Sequence, residues 1–311
     1  MRRGTSGINA LLAIDKPCGM TSHDVVGRVR RALGEQRVGH AGTLDPEASG
    51  VLVVGVGQAT RIMGLLTQER KSYETRILFG AETSTDDAEG EVVRRSDVPS
   101  RLSGEADAID ALAGMVGTYD QVPPSYSAIS VGGRRAYDRA RAGEVFELDS
   151  RSVSILSASL QGIGHQDGDL FWDCAFTVSK GCYIRSIARD LGRTCGTAAH
   201  VVSLRRTSSG PCDLGRCTTL DLLGQLGPAR VAEVALDPTW ALGYPTHALD
   251  EAGLADVRCG RPLDAPMELG DGGMCSLVCG GLLYGVWYKD GPRLVSKATF
   301  PDGIIGVGGG V

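Results

Sequence analysis

The sequence predicts an α+β protein in which helices flank a large, mixed, mostly antiparallel sheet and a small all-β module forms the C-terminal end. Three observations predict it. Period-two apolar alternation recurs in segments far apart in the chain, and the helical patterns between them follow no regular β-α-β order. Glycine, at 44 of 311 residues, favours many turns over long helical bundles. The final stretch, 246–311, carries short apolar runs joined by a hairpin signal. A chain of this length suits one large and one small domain, with 1–240 and 246–311 as expected bounds.

Leu11 to Ile14 reads as a short strand entering the turn Lys16-Pro17-Cys18-Gly19. Thr21 or Ser22 then caps a helix with Val25, Val26, Val29 and Leu33 on one face and Arg28, Arg30 and Arg31 on the other. A glycine-bounded loop, Gly39-His40-Ala41-Gly42-Thr43-Leu44-Asp45-Pro46, leads to a buried strand over Val51 to Val56. A short helix runs through Ile62, Met63, Leu65 and Leu66, and Tyr73, Thr75, Ile77 and Phe79 alternate along the next strand. Gly80, Thr83, Thr85, Asp87 and Gly90 make a polar, turn-rich loop, Glu105 to Met115 reads as a helix, and Pro123-Pro124-Ser125 interrupts the pattern. Strict alternation of Leu170, Trp172, Cys174, Phe176 and Val178 marks a half-buried strand, followed by a helix from Ile184 to about Arg193. Asp237-Pro238 and Tyr244-Pro245 break any regular pattern between Leu236 and Ala248. Beyond them Met274 to Val278, Leu282 to Tyr288 and Arg293 to Thr299 read as strands, with Asp290-Gly291 as a hairpin turn.

Composition narrows the function classes. Hydrophobic residues at 42% and charged residues at 22% describe an ordinary globular chain with a sizeable core, and no apolar run reaches membrane-spanning length. The nine cysteines are odd in number, contain no C-x-x-C pair and follow no secretory signal, so free thiols in a reducing cytoplasm are expected. Cys259, Cys275 and Cys279 come nearest to a zinc set, but their spacing discourages it. Val53-Val54-Gly55-Val56-Gly57-Gln58-Ala59-Thr60 looks like the start of a dinucleotide fingerprint, yet its third glycine is missing and no second βα unit follows. The net charge of −5 is a global sum, and RNA meets one face only. Arginines cluster at 134, 135, 139 and 141 around Tyr137 and again at 185, 189, 193, 205 and 206, while acids gather at Asp86, Asp87, Glu89 and Glu91. Such arginine runs are commonly solvated helix faces; their excess over lysine points to phosphate or carboxylate recognition.

Three dispersed residues suit one chemistry. An aspartate in a loop such as that of Asp45 is most often a turn former, Tyr73 can pack with Ile77 and Phe79, and Arg185 can be a surface helix residue. Together they offer more. A carboxylate shut in a dry pocket with a flat base loses hydration, which favours the neutral acid; a contacting arginine opposes this by about 4 kcal/mol at an effective dielectric of about 20. A tyrosine can stack on the base and relay a proton.

Gly39-His40-Ala41-Gly42-Thr43-Leu44-Asp45-Pro46-x-Ala48-Ser49-Gly50 resembles the catalytic motif of the TruB family, the bacterial tRNA pseudouridine-55 synthases. So do Asp15-Lys16-Pro17-x-Gly19-x-Thr21-Ser22 and Lys71-x-Tyr73 running on to Gly80-x-x-Thr83-x-Thr85-x-Asp87-x-x-Gly90. Pro124-Ser125-x-Ser127-Ala128-Ile129, Gly181-Cys182-Tyr183-Ile184-Arg185 with Asp190-Leu191-Gly192, and Gly196 to Arg206 complete the series in family order. The resemblance implies a pseudouridine synthase fold with a PUA-like C-terminal module, isomerisation of uridine 55 in the tRNA T-loop, no cofactor and no metal. By the same likeness Asp45 is the essential carboxylate, acting at C1′ as nucleophile or stabiliser, at C6 of the uracil or at the C2′ proton, Tyr73 stacks on the uracil, and Arg185 pairs with Asp45. Tyr183 and Leu204 line the pocket, and His40, with Gly42 and Thr43, meets the RNA where bases are extruded. Lys16 supports the site rather than the chemistry. A cytoplasmic monomer acting on the tRNA T-arm is expected. Three positions depart from the family pattern: Ser130 stands for a common lysine, Cys182 for threonine, and Glu47 for an apolar residue. An RNA-binding protein without catalysis is the alternative class; the absence of long basic tails counts against a guide-RNA-dependent enzyme.

Overall fold

The computed structural model describes residues 6–66, 70–127, 129–131, 133–142, 144, 146 and 148–308, without the side chains of 130, 131, 135, 138, 140 and 141. Ala128 and the side chains of Ser130, Arg135 and Arg141 therefore lie outside the described residues. The chain runs β1 (Ala10–Lys16), α1 (Ser22–Leu33), β2 (Val38–Ala41), β3 (Ser49–Val56), α2 (Met63–Leu66), β4 (Lys71–Phe79), β5 (Ala81–Thr83), β6 (Val92–Arg95), α3 (Glu105–Gly114) and β7 (Gly117–Gln121). It continues with β8 (Ser130–Val131), β9 (Arg134–Arg135), α4 (Ala136–Arg141), β10 (Arg151–Gln166), β11 (Asp169–Val178), α5 (Ile184–Thr194), β12 (Ala199–Ser209), β13 (Cys212–Asp213) and α6 (Leu220–Arg230). The last elements are β14 (Ala235–Leu236), α7 (Pro238–Leu242), β15 (Thr246–Ala248), α8 (Glu251–Arg258), β16 (Leu263–Asp264), β17 (Met274–Cys279), β18 (Leu282–Asp290) and β19 (Arg293–Ile304). The expected α+β class, with mostly antiparallel sheet, flanking helices and a C-terminal β module, is the class observed.

The chain divides into two compact units, Met1–Gln68 with Ser208–Val311 and Glu69–Thr207. In the first, β1 pairs antiparallel with β14 and β3, and β2 pairs with β3. Helix α1 lays Val25, Val26, Val29 and Leu33 against Leu12, Ile14, Leu52 and Val54 of that sheet. It begins in a capping box: Thr21 Oγ1 accepts from Asp24 N at 3.0 Å and Asp24 Oδ2 accepts from Thr21 N at 3.0 Å, so Thr21 is the cap and Ser22 turns inward. The C-terminal sheet, in the order β15-β17-β18-β19-β16, contains the three expected strands, and helix α8 accompanies it. Leu283, Val286, Phe300 and Ile304 of that sheet share one core with Leu11, Ala13, Val51 and Ile62.

The fingerprint-like glycines serve this packing. A Cβ on Gly57 would lie 2.2 Å from Ile8 O, and one on Gly55 would lie 2.7 Å from Ala59 O. Both glycines are thus close backbone approaches within the unit.

In the second unit, β4, β11, β10 and β7 form successive antiparallel neighbours, and the start of β12 flanks β4. Trp172 on β11 is fully buried, meets Phe79 edge-on at 4.6 Å, and donates its indole N–H to Leu102 O at 2.9 Å. No helix among the described residues is long and apolar enough to cross a membrane.

Candidate active site

In the first unit the antiparallel β2–β3 pair, with His40 opposite Val54 and Ala41 opposite Val53, presents a connecting loop that holds Gly42, Thr43 and Asp45. Gly42 sits at φ 77°, where a side chain would be strained, and Ala48 N donates to Asp45 O at 3.1 Å to close the turn. The loop is anchored from below. Lys16, fully buried at the end of β1, donates from Nζ to Pro17 O (2.9 Å), Met20 O (2.5 Å) and Pro46 O (2.8 Å). Three ammonium donors thus meet three carbonyl oxygens, one of them on the residue after Asp45. On the other side the buried Ser22 hydroxyl donates to Leu44 O at 3.0 Å and lies 2.9 Å from Leu44 N, gripping both backbone groups of the residue before Asp45. Asp45, His40 and Gly42 are half-buried and Thr43 is exposed.

In the second unit Tyr73 is buried on β4, opposite Phe176 of β11, and Leu204 is half-buried on β12. Arg185 is 4% exposed at the start of α5, which rules out the surface-residue alternative. Its Nη1 donates to Thr85 O at 2.8 Å and lies 3.4 Å from Asp87 Oδ2, and Nη2 donates to Tyr126 O at 2.9 Å. Arg189 and Arg193 follow at successive helical turns on the same face. Arg189 reaches Asp86 Oδ2 (2.8 Å), Asp190 Oδ1 (3.0 Å) and Val122 O (2.8 Å). Arg193 grips both carboxylate oxygens of Glu82 at 2.9 and 2.8 Å. Three arginines of one helix therefore clamp the acidic segment 82–87; Arg185 and Arg189 are buried in doing so, while Arg193 stays exposed.

Burial pushes the Asp86 carboxyl up, an effect that Arg189 and then Arg185 oppose. Burial, with the neighbouring charges of Arg206 and Lys180, pulls Lys71 down to about 8. The half-buried Cys182 thiol is pushed up to about 12 by burial and is therefore neutral.

Lys16, His40, Gly42, Thr43 and Asp45 thus gather about one hairpin loop, while Tyr183 and Arg185 open one helix and Tyr73 and Leu204 lie on neighbouring strands. Three contributors were given no part in the site by the sequence: Ser22, read there only as an alternative helix cap, Asp87 as the acid facing Arg185, and Gln121, which holds Tyr183. Among the described residues no group of three or more His, Cys, Asp or Glu side chains could hold a metal ion; Cys259 is exposed while Cys275 is buried.

A model of the TruB family pseudouridylate synthase N-terminal domain matches residues 30–184, and one of the tRNA pseudouridylate synthase B C-terminal domain matches 185–238. The tRNA pseudouridine synthase B of Mycobacteroides abscessus is 47% identical over 254 residues, 81% of this chain and 84% of that protein. Its counterpart from Thermobifida fusca is 48% identical over 245 residues, 78% of this chain and 82% of that protein. Among solved structures, a chain of a Cbf5-Nop10-Gar1 complex superposes with a TM-score of 0.69 at 22% identity, covering 96% of this chain and 87% of that one, a likeness of fold. Family models that meet at residues 184 and 185, and relatives this similar over four-fifths of the chain, place the protein in the TruB family of pseudouridylate synthases.

Proposed function

We propose that this protein converts uridine 55 in the T-loop of tRNA to pseudouridine. The observation that carries the reading is the family match over 30–184, which takes in both Asp45 and Tyr73, alongside relatives named tRNA pseudouridine synthase B. In the reaction the N1–C1′ bond breaks, the uracil turns, and a C5–C1′ bond forms; C5 loses a proton and N1 gains one, so no redox change occurs. Asp45 supplies the essential carboxylate, acting at C1′, at C6 of the uracil or at the C2′ proton. Tyr73 stacks on the uracil and relays protons, and Arg185 pairs with the carboxylate. Tyr183 and Leu204 wall the base, and His40, Gly42 and Thr43 meet RNA where the target nucleotide is flipped from the folded loop. The grip of Lys16 and Ser22 on either side of Asp45 supports this reading, because a reacting carboxylate must be held in place before substrate arrives. No cofactor takes part. The catalytic domain spans 1–240, the 246–311 module is a PUA-like RNA-binding domain, and the enzyme works in the cytoplasm as a monomer on the tRNA T-arm.

The test is to incubate purified protein with an unmodified tRNA transcript and map pseudouridine. Conversion at position 55 supports the reading, and binding without conversion would favour an RNA-binding protein instead.

A further inference from the structure

Gln121 closes β7 and is 1% exposed, yet its carboxamide brings two donor hydrogens and an acceptor into the interior. Its Oε1 accepts from Tyr183 N at 2.8 Å, and its Nε2 donates to Tyr183 O at 3.2 Å and to the Tyr119 hydroxyl at 2.7 Å. One side chain therefore satisfies both backbone groups of Tyr183. The pairing also fixes which way the amide points, because the reverse orientation would set N–H against N–H. Tyr183 is the N-cap of α5 and caps it with no side-chain hydrogen bond, so the start of that helix depends on partners from elsewhere. Arg185 follows two residues on.

The chain beyond Gln121 is tied to the same helical turn. Val122 O accepts from Ser186 Oγ at 2.9 Å and from Arg189 Nη2 at 2.8 Å, and Tyr126 O accepts from Arg185 Nη2 at 2.9 Å. The segment from Gln121 to Tyr126 is a strap along the first turns of α5, with the carboxamide at its head.

We propose that Gln121 is a positioning residue for pseudouridine formation, holding the backbone of Tyr183 so that α5 starts in one place and aims Tyr183 and Arg185. This role rests on the functional reading above. Gln121 itself touches no reacting atom. Its loss loosens the aim of two site residues while leaving the RNA-binding surface intact, so turnover falls and KM does not follow.

The experiment uses the full chain and an unmodified tRNA transcript, with Gln121→Met and Gln121→Glu assayed at about pH 6 and about pH 8.5. Glutamate has nearly the shape of glutamine. Its neutral acid can donate to Tyr183 O, whereas its anion can only accept and sets a negative charge against that carbonyl. Burial favours the neutral form toward the lower pH. Of the titratable neighbours, Tyr119 and Cys182 are both pushed up by burial, Cys182 to about 12, and stay protonated throughout. The charged groups nearby are Arg189 and Asp190 on α5 and Arg151, opposite Gln121 on β10.

Gln121→Met is expected to lower kcat about 10- to 100-fold at both pH values with KM within about twofold. Gln121→Glu is expected to show that loss at about pH 8.5 and to recover to within about threefold of wild type at about pH 6. Wild-type kcat in both variants, a KM that rises in step with the loss, or a Gln121→Glu deficit independent of pH would overturn the role. If Gln121→Met does not fold, the pH dependence of Gln121→Glu relative to wild type decides alone. A wild-type protein that leaves position 55 unmodified would overturn the functional reading and this role with it, whereas wild-type turnover with unaffected variants overturns only the positioning.

Discussion

Replacing Glu82 with glutamine removes the charge that anchors the far end of α5, and its effect follows from the geometry. Glu82 is 4% exposed and accepts from Arg193 Nε and Nη2 at 2.9 and 2.8 Å and from Arg94 Nη2 at 2.7 Å. Burial by itself would raise its pKa; the hydrogen bonds from Arg193 and then Arg94 outweigh that and hold the carboxyl at about 2, against an ordinary 4.5. At about 1.4 kcal/mol per pH unit this difference is worth about 3 kcal/mol. The arginine side chains are 56% and 44% exposed, and water screening reduces the figure to about 2 kcal/mol. Because the folded-state pKa lies below the unfolded one, the stabilisation is complete above about pH 4.5 and drains away as pH falls toward about 2. Urea unfolding of wild type and Glu82→Gln should therefore differ by about 2 kcal/mol at pH 7, a gap that shrinks to less than half by about pH 3. Equal stability at pH 7, or a gap that persists unchanged in acid, would show that the Glu82 charge does not stabilise the fold.

Other substitutions probe the grip on the site residues. Lys16→Met leaves Pro17 O, Met20 O and Pro46 O without their buried donor, and thermal unfolding should register a loss of about 3 kcal/mol. Ser22→Ala deprives Leu44 N and O of their shared hydroxyl, with an expected cost of about 2 kcal/mol in urea unfolding and a reduced rate of pseudouridine formation. Asp87→Asn removes the opposing charge 3.4 Å from Arg185 while the carbonyl contacts remain. Its kcat should fall about tenfold, with tRNA affinity within about twofold of wild type in a filter-binding assay.

The elements that the sequence made legible are those with unbroken periodicity. The apolar faces of α1, β4 and β11, the helix expected from Ile184 and the C-terminal hairpin all emerge where the sequence puts them. Strand β10 does not show itself because register shifts between Ile155 and Ser157 and between Leu160 and Gly162 reset its alternation. Strand β12 has no period-two burial at all, and the helix within the C-terminal module is only eight residues long. The Asp45 loop stands out locally through its glycines and Asp-Pro turn. Its anchor Ser22 lies 22 residues away, the contact of Gln121 with Tyr183 spans 62 residues, and that of Arg185 with Thr85 spans 100. No local pattern encodes such pairings; only the closure of the sheet and the docking of α5 create them. The glycines of the apparent fingerprint show the converse, since close packing against Ile8 and Asn9, rather than a phosphate, demands one of them.

Asp45 is proposed as the essential carboxylate of a tRNA pseudouridine synthase. The most direct measurement is pseudouridine at position 55 of an unmodified tRNA transcript, after incubation with wild type and with Asp45→Asn, paired with tRNA binding by each. Conversion by wild type, none by Asp45→Asn, and affinities within a few-fold of one another are expected from that assignment. Wild-type-like turnover by Asp45→Asn would contradict it.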